Sequence, residues 1–315
     1  MSQLTGLSRK ELRARSKANR IRESRGDRVF TVVNYIILTL FGLAALYPLI
    51  YVLSASISEP LAVNSGRMKL WPVGFNIEGY KSILSNKWIL TGYGNSLFYT
   101  VVGTFLNVLV TFMASYSLSR KDMYGHGLIT FFMVFTMWFG GGLIPTFLVV
   151  KKLGLINTRM VLLLLGLVSV YNCIICRSFI SSSIPYELQE AARIDGCNDF
   201  QIVWRIIFPL SGPVLAILAL YYALGHWNGY FNALMYIEDR NLQPLQIFLR
   251  EILVLNQKID MNADIEELEA MVARVQMAQT MKYSLIVVAS VPMLIIYPFV
   301  QKFFVKGVMI GSVKG

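Results

Sequence analysis

The chain has 315 residues, 55% of them hydrophobic and only 15% charged, with a formal net charge of +11; its mean hydropathy is +0.55. A soluble domain carries about a quarter charged residues, so these proportions exclude an ordinary cytosolic enzyme. Three cysteines exclude a disulfide-rich secreted scaffold.

Residues 1–28 form a basic arm. Nine Lys/Arg (Arg9, Lys10, Arg13, Arg15, Lys17, Arg20, Arg22, Arg25 and Arg28) face only Glu11, Glu23 and Asp27. Placed directly before an apolar run, such an arm is a positive-inside signal, reinforced by anionic headgroups. A nucleic-acid arm is the competing reading, but no aromatic precedes Phe30 to stack on bases. The following apolar stretch exceeds a signal-peptide core, and no small-residue cleavage site follows it.

No Lys, Arg, Asp or Glu occurs in 29–58, 88–119, 123–150, 160–176, 206–237 or 283–301. Five of these six intervals exceed the ~18 residues that flag a bilayer span; the fourth has 17, with Arg159 and Arg177 placed to snorkel from its ends. The expectation is an all-α membrane protein with six transmembrane helices, residues 29–315 forming one membrane domain. With the N-terminus inside, six spans return the C-terminus to the inside. Lys/Arg then divide into 17 inside and 12 outside, and net charge into +9 and +2. Lys151, Lys152 and Arg159 run against this bias. Several spans carry prolines. Gly140, Gly141 and Gly142 before Pro145 predict an interruption of the third span, as a packing kink or as a bend lining a pathway. Outside, 55–92 reads as an irregular surface segment with interfacial anchors such as Trp71 and Trp88. The loop 238–282 is longer and more acidic, with a helical pattern from Asn262.

Chemistry-bearing motifs are few. Cys173 and Cys176 make a C-x-x-C inside an apolar run and read as packing residues. His126 and His226 lie 100 residues apart with no metal-ligand spacing. No G-x-x-x-x-G-K-[ST] occurs, so the chain has no phosphate cradle of its own. No span holds an ionisable Asp, Glu, Lys or Arg of the kind proton-coupled carriers keep. Sodium coupling through carbonyls stays open. A transporter reading therefore demands an energy-supplying partner.

The loop 183–209, between the fourth and fifth spans, decides between these classes. Pro185 suits a helix start, and Glu187, Gln189 and Glu190 its early turns. Gly196 suits the residue past the helix end, and Asn198 or Asp199 caps the next helix, which is expected to run into the fifth span. Leu188, Ala191 and Ala192 are expected on one face, open to close approach by another protein.

The pattern Glu190-Ala191-Ala192, three residues, Gly196, nine residues, Ile206, one residue, Phe208-Pro209 resembles the "EAA" loop of ABC importer permeases, with Phe where Leu is commoner. Pro145-Thr-Phe-Leu, Leu153-Gly-Leu-Ile-Asn-Thr158, Trp227-Asn228 with Phe231, and Gly311-Ser-Val-Lys-Gly315 extend the resemblance to MalG-like carbohydrate permeases. Gly141-Gly-Leu-Ile-Pro-Thr, Ile194-Asp-Gly-Cys and the tail from Lys306 are similar to the LplC/YtcP-type oligosaccharide permeases. The resemblance implies a type I importer permease fold in a bacterial plasma membrane, both termini cytoplasmic. It implies a second homologous permease, two ATP-binding cassette subunits holding ATP and magnesium, and an extracellular sugar-binding protein that docks on 238–282. This chain would catalyse no bond change and hold no cofactor. ATPase coupling would fall to Leu188, Glu190, Ala191, Ala192, Asp195 and Gly196, with Lys314 and Gly315 at the ATPase interface. For the sugar pathway the chain offers Trp138, Tyr171, Asn172, Trp227, Asn228, Tyr230 and Asn232, although aromatics near span ends also serve as interfacial anchors.

Overall fold

A computed structural model describes residues 24–120, 122–255 and 278–298. Residues 1–23 of the N-terminal arm, 256–277 with its expected helix, and the tail with Lys314 and Gly315 lie outside the described residues. Everything regular among the described residues is helical, apart from one isolated antiparallel bridge between Ser58 and Phe75.

The first helix, α1 (Arg25–Ser56), starts at a capping box: Asp27 N–H donates to Ser24 Oγ and Ser24 N–H to the Asp27 carboxylate, both at 3.1 Å. Its apolar window is 0% buried against the other described residues, as suits a helix surrounded by lipid. Helices α2 (Pro60–Asn64) and α3 (Glu78–Ser85) follow, so 55–92 is more ordered than expected. Proline at the first turn starts α2, and Ile83 of α3 is buried among apolar side chains. The long α4 (Lys87–Ser119) is capped by Asn86, whose side chain accepts from the Trp88 and Ile89 N–H groups.

The third charge-free interval is two helices, α5 (His126–Trp138) and α6 (Leu143–Lys152), bent by 115° at the glycine triplet. Gly142 sits at φ +84°, and Pro145 falls in the first turn of α6, where its missing N–H costs nothing. The fourth interval differs from the expectation of one span. It is split into α7 (Arg159–Leu164) and α8 (Val170–Ser183), and α8 continues past Arg177. The break at 165–169 contains Gly166 at φ +79°. Its carbonyl accepts from Asn107 Nδ2 at 2.9 Å, which satisfies backbone that the helix leaves open.

Beyond α8 come α9 (Glu187–Ile194) and α10 (Asp199–Leu210), the latter a π-helix over Ile202–Ile207. The expectation that this second helix runs on into the fifth span is corrected: α10 bends by 78° into α11 (Gly212–Asn228). Pro213 lies in the first turn of α11 and cannot extend α10. The short α12 (Phe231–Tyr236) closes this region. A further correction concerns the 238–282 loop, whose first part is an amphipathic helix, α13 (Leu245–Leu255). Leu245 and Phe248 are buried against Ile83, Ile89 and Trp227, and the Leu245 N–H donates to Ser96 Oγ at 2.9 Å. The last described helix is α14 (Ala278–Pro298).

Three helices, α1, α4 and α14, are long and apolar enough to cross a membrane, and the two bent pairs pass the same test jointly. The core has two main parts. One joins Phe112 and Tyr116 of α4, Cys176 and Ile180 of α8, Ala192 of α9 and Leu218 of α11. Cys173 and Cys176 are 1% and 0% exposed, as small packing residues should be. The other joins α3, α4, α11, α13 and α14 at the opposite end.

Candidate functional site

Two places gather unusual residues: the elbow between α9 and α10, and a cavity beside the break in the α7–α8 segment. In the elbow, Glu187 and Glu190 occupy the first turn of α9, against the positive end of its dipole. At the other end Gly196 N–H donates to the Arg193 carbonyl at 3.0 Å and Cys197 N–H to the Ala192 carbonyl at 2.9 Å. Gly196 itself sits at φ +84°, the left-handed geometry that this paired closure requires. One residue later Asn198 caps α10 reciprocally: Gln201 N–H donates to Asn198 Oδ1 at 2.9 Å, and Asn198 N–H to Gln201 Oε1 at 3.0 Å. Two complete caps around Cys197 leave the angle between the helices little freedom.

The burial of α9 corrects the expected face. Ala192 turns inward with Gln189, each 6% exposed, and Tyr116 Oη donates to Gln189 Oε1 at 3.3 Å. Leu188, Glu190 and Ala191 point outward, and Ile194 and Phe200 are 86% and 71% exposed. The outer face thus offers apolar groups that no other described residue covers.

An ion cluster holds the elbow to the end of α4. Arg120 Nε donates to Asp122 Oδ1 and Nη1 to Asp199 Oδ1, both at 2.9 Å, and Arg193 Nη2 donates to Asp199 Oδ1 at 3.3 Å. Hydrogen bonding from Arg120 lowers the Asp122 carboxyl to about 2, and that of Asp199 is lowered by Arg120 and then Arg193. Depressed carboxyl values stabilise the fold above the unfolded value of about 4. That contribution disappears as pH falls through the folded values, so the window runs from about 4 down to about 2. Amide exchange at Gly196, Cys197 and Gln201, corrected for intrinsic rates, should stay slow from pH 7 to 5 and quicken across that window. Arg120→Met should remove the step; an unchanged profile would mean the cluster does not hold the elbow.

The cavity, of about 390 Å³, lies between α4, the unwound turn at Gly166 and the end of α11. That volume falls in the range of small-ligand sites, ~300–1,000 Å³. Asn228, Tyr230 and Asn232 line it, with Tyr99, Tyr221 and His226, and no Asp, Glu, Lys or Arg among the described residues does. Tyr222 Oη is already engaged with Thr111 Oγ1 at 2.6 Å and accepts from Ser169 N–H at 3.0 Å, pinning the start of α8 to α11.

Residues 16–310 match the family described as "Binding-protein-dependent transport system inner membrane component". The chain belongs to this permease family. Protein LplC of Bacillus subtilis (strain 168) is 39% identical over 292 residues, covering 93% of this chain and 97% of LplC. The polygalacturonan/rhamnogalacturonan transport system permease protein YtcP of the same strain is 39% identical over 289 residues, 92% of this chain and 99% of YtcP. Among solved structures, a chain of a bacterial ABC transporter that imports the acidic polysaccharide alginate superposes with a TM-score of 0.80 at 37% identity, covering 90% of this permease and 99% of that chain.

Within the permease, the residues expected on the sugar pathway separate. Asn228, Tyr230 and Asn232 come together on the cavity wall. Trp227 does not: it is 2% exposed, and its Nε1–H donates to the Ala289 carbonyl at 2.9 Å, so it joins α11 to α14. Asn172 is buried near the start of α8, while Trp138 and Tyr171 are exposed away from the cavity. Of the expected coupling residues, Leu188, Glu190, Ala191, Asp195 and Gly196 lie exposed on the elbow, and no ion pair reaches Glu190 among the described residues. Sequence reasoning weighed His226 only as a metal ligand and passed over Asn107 and Gly103. The available signal was a histidine and asparagines in charge-free spans, where polar side chains are costly.

Proposed function

We propose that this permease forms half of the pathway of an ATP-driven, binding-protein-dependent importer of oligosaccharides, taking fragments of acidic polysaccharides. Its partners are a second homologous permease, two ATP-binding subunits on the cytoplasmic face and an extracellular sugar-binding protein. The observation that carries the reading is the elbow: a rigid, doubly capped helix pair with the EAA pattern, presenting uncovered Leu188, Ile194 and Phe200 to another protein. In the outward-facing state the cavity receives sugar; closure of the ATPase dimer moves α9 and, through Arg120 and Asp199, the end of α4. The substrate class rests on YtcP and the alginate importer, whose named cargoes are both acidic polysaccharides. Arg159, exposed near Tyr99 and without a carboxylate partner among the described residues, suits such a cargo.

The complex in proteoliposomes should accumulate a labelled galacturonate trimer only with ATP inside and binding protein outside. Uptake that persists without the ATPase subunits would end this reading. The proposed topology has six crossings: α1, α4, the bent pair α5–α6, the broken α7–α8, the bent pair α10–α11, and α14. Both termini are then cytoplasmic. In a cysteine-free background an impermeant thiol reagent should label residue 265, and not residue 10, from outside; the reverse would invert the elbow and remove its access to ATP.

A further inference from the structure

The cavity wall contains one histidine whose surroundings are arranged on three sides. His226 Nε2 lies 3.2 Å from Asn107 Oδ1. Asn107 is 2% exposed and its Nδ2 donates to the Gly166 carbonyl. Its amide is thereby oriented, its oxygen left to accept, and His226 Nε2 must be the donor. A neutral imidazole with its proton on Nε2 carries a lone pair on Nδ1. That atom makes no hydrogen bond among the described residues, and it is not one of their solvent-shielded orphaned atoms. Nδ1 is thus left without a partner on the half-buried ring.

The ring reaches this position because Gly103 on α4 has no side chain. A Cβ there would lie 2.4 Å from His226 Nε2 and 2.6 Å from Cε1, closer than atoms pack. The Nε2 edge is seated on Gly103 and Asn107, leaving Nδ1 as the edge without a partner. The side chains of Asn228, Asn232, Tyr221 and Tyr230 share the cavity and form no hydrogen bond of their own among the described residues. Two amides, two phenols and one imidazole acceptor are thus unspent around a space that no Asp, Glu, Lys or Arg among the described residues lines. The unwound turn at Gly166 beside them is the kind of helix break that forms substrate sites at bilayer depth.

From this geometry we infer that the permease carries its own saccharide subsite, in which His226 Nδ1 accepts a hydrogen bond from a sugar hydroxyl and Asn107 and Gly103 position the ring. The subsite reads hydroxyls and ring faces rather than carboxylates. Selection for acidic sugars then belongs to the binding protein and the outer surface. The inference rests on the permease reading above and deepens it. A purely structural role, with His226 serving only to join α11 to α4, is the alternative the test must separate.

The test uses the whole complex with its binding protein, arrested with vanadate after a single turnover, and measures labelled galacturonate trimer retained per complex. His226→Leu and Gly103→Ala should retain about 3- to 10-fold less sugar than wild type, the factor carried by one neutral hydrogen bond. Assembly and binding-protein-stimulated ATP hydrolysis are measured beside retention, and retention should fall further than either. Gly94→Ala, on the same helix with nothing within 4 Å of the added Cβ, should retain sugar like wild type. Unchanged retention in both variants overturns the subsite, as does retention by no complex while uptake proceeds. Parallel loss of assembly, hydrolysis and retention shows a helix joint only and also overturns it. Absence of uptake by the wild-type complex is a different failure, that of the permease reading for this cargo.

Discussion

Gly196→Val is expected to abolish coupling while leaving the membrane helices inserted and the subunits associated. Gly196 sits at φ +84°, and an added Cβ meets nothing within 4 Å. The cost is therefore backbone strain alone, about 1–2 kcal/mol for an ordinary residue in the left-handed region. β-branched valine resists that region further, so the chain escapes by changing φ. The escape breaks the bonds from Gly196 and Cys197 to Arg193 and Ala192, and α9 then loses its fixed angle to α10. In the proposed mechanism, an elbow without a fixed angle cannot carry a displacement from the ATPase to α10 and α4. Binding-protein-stimulated hydrolysis should fall at least tenfold with co-purification unchanged. Gly196→Asn, which tolerates the left-handed region, should keep most of the stimulation; equal loss in both would mean that the side chain, not the turn, is at fault. Glu190→Ala tests the outer face separately. Its carboxylate has no ion partner among the described residues, so the proposed partner is a cation on the ATPase. Full stimulation in that variant would remove Glu190 from the contact.

The elbow was legible because its signals are local. Gly196 and Asn198 sit at cap positions whose preferences follow from backbone geometry, and both caps form where the sequence places them. The inward turn of Ala192 was not legible, since it depends on Gln189 reaching Tyr116, 73 residues earlier. Charge-free intervals located apolar helix well but not its breaks. Interval 160–176 looks continuous, yet Gly166 unwinds because Asn107 on another helix supplies the donor for its carbonyl. α13 was missed for a related reason: Leu245, Phe248 and Leu249 are apolar residues inside an acidic loop, and their burial against α4 depends on Gly92. A Cβ on Gly92 would lie 2.7 Å from the Phe248 ring. The cavity likewise depends on tertiary contacts, Asn107 with Gly166 and with His226, so single residues identified only part of its wall.

Gly79→Ala should be the most destabilising single-methyl change in the described residues, although Gly79 lies in a segment whose sequence reads as irregular. Its missing side chain lets α3 meet α14: an added Cβ would lie 2.4 Å from Ser284 Oγ and 2.5 Å from the Thr280 carbonyl oxygen. A side chain can swing aside, but the Thr280 carbonyl is helix backbone and cannot. Ser284, 0% exposed, also donates to the Ser56 carbonyl at 3.0 Å, and Ser56 Oγ meets Tyr80 Oη at 2.7 Å. The same junction therefore helps to hold the end of α1, whose apolar window is not buried by any other described residue. Separating α3 from α14 also uncovers Ile83 and Leu285, which are 2% and 0% exposed. Overpacking of this kind costs about 1–3 kcal/mol, and more where backbone must move. Gly94→Ala is the control: the position is open, and replacing glycine inside a helix gains up to about 1 kcal/mol. Thermal unfolding of the purified complex should show a clearly lower midpoint for Gly79→Ala and a midpoint at or above wild type for Gly94→Ala. Equal midpoints for Gly79→Ala and wild type would mean that α3 and α14 part without cost, and that the junction does not anchor α1.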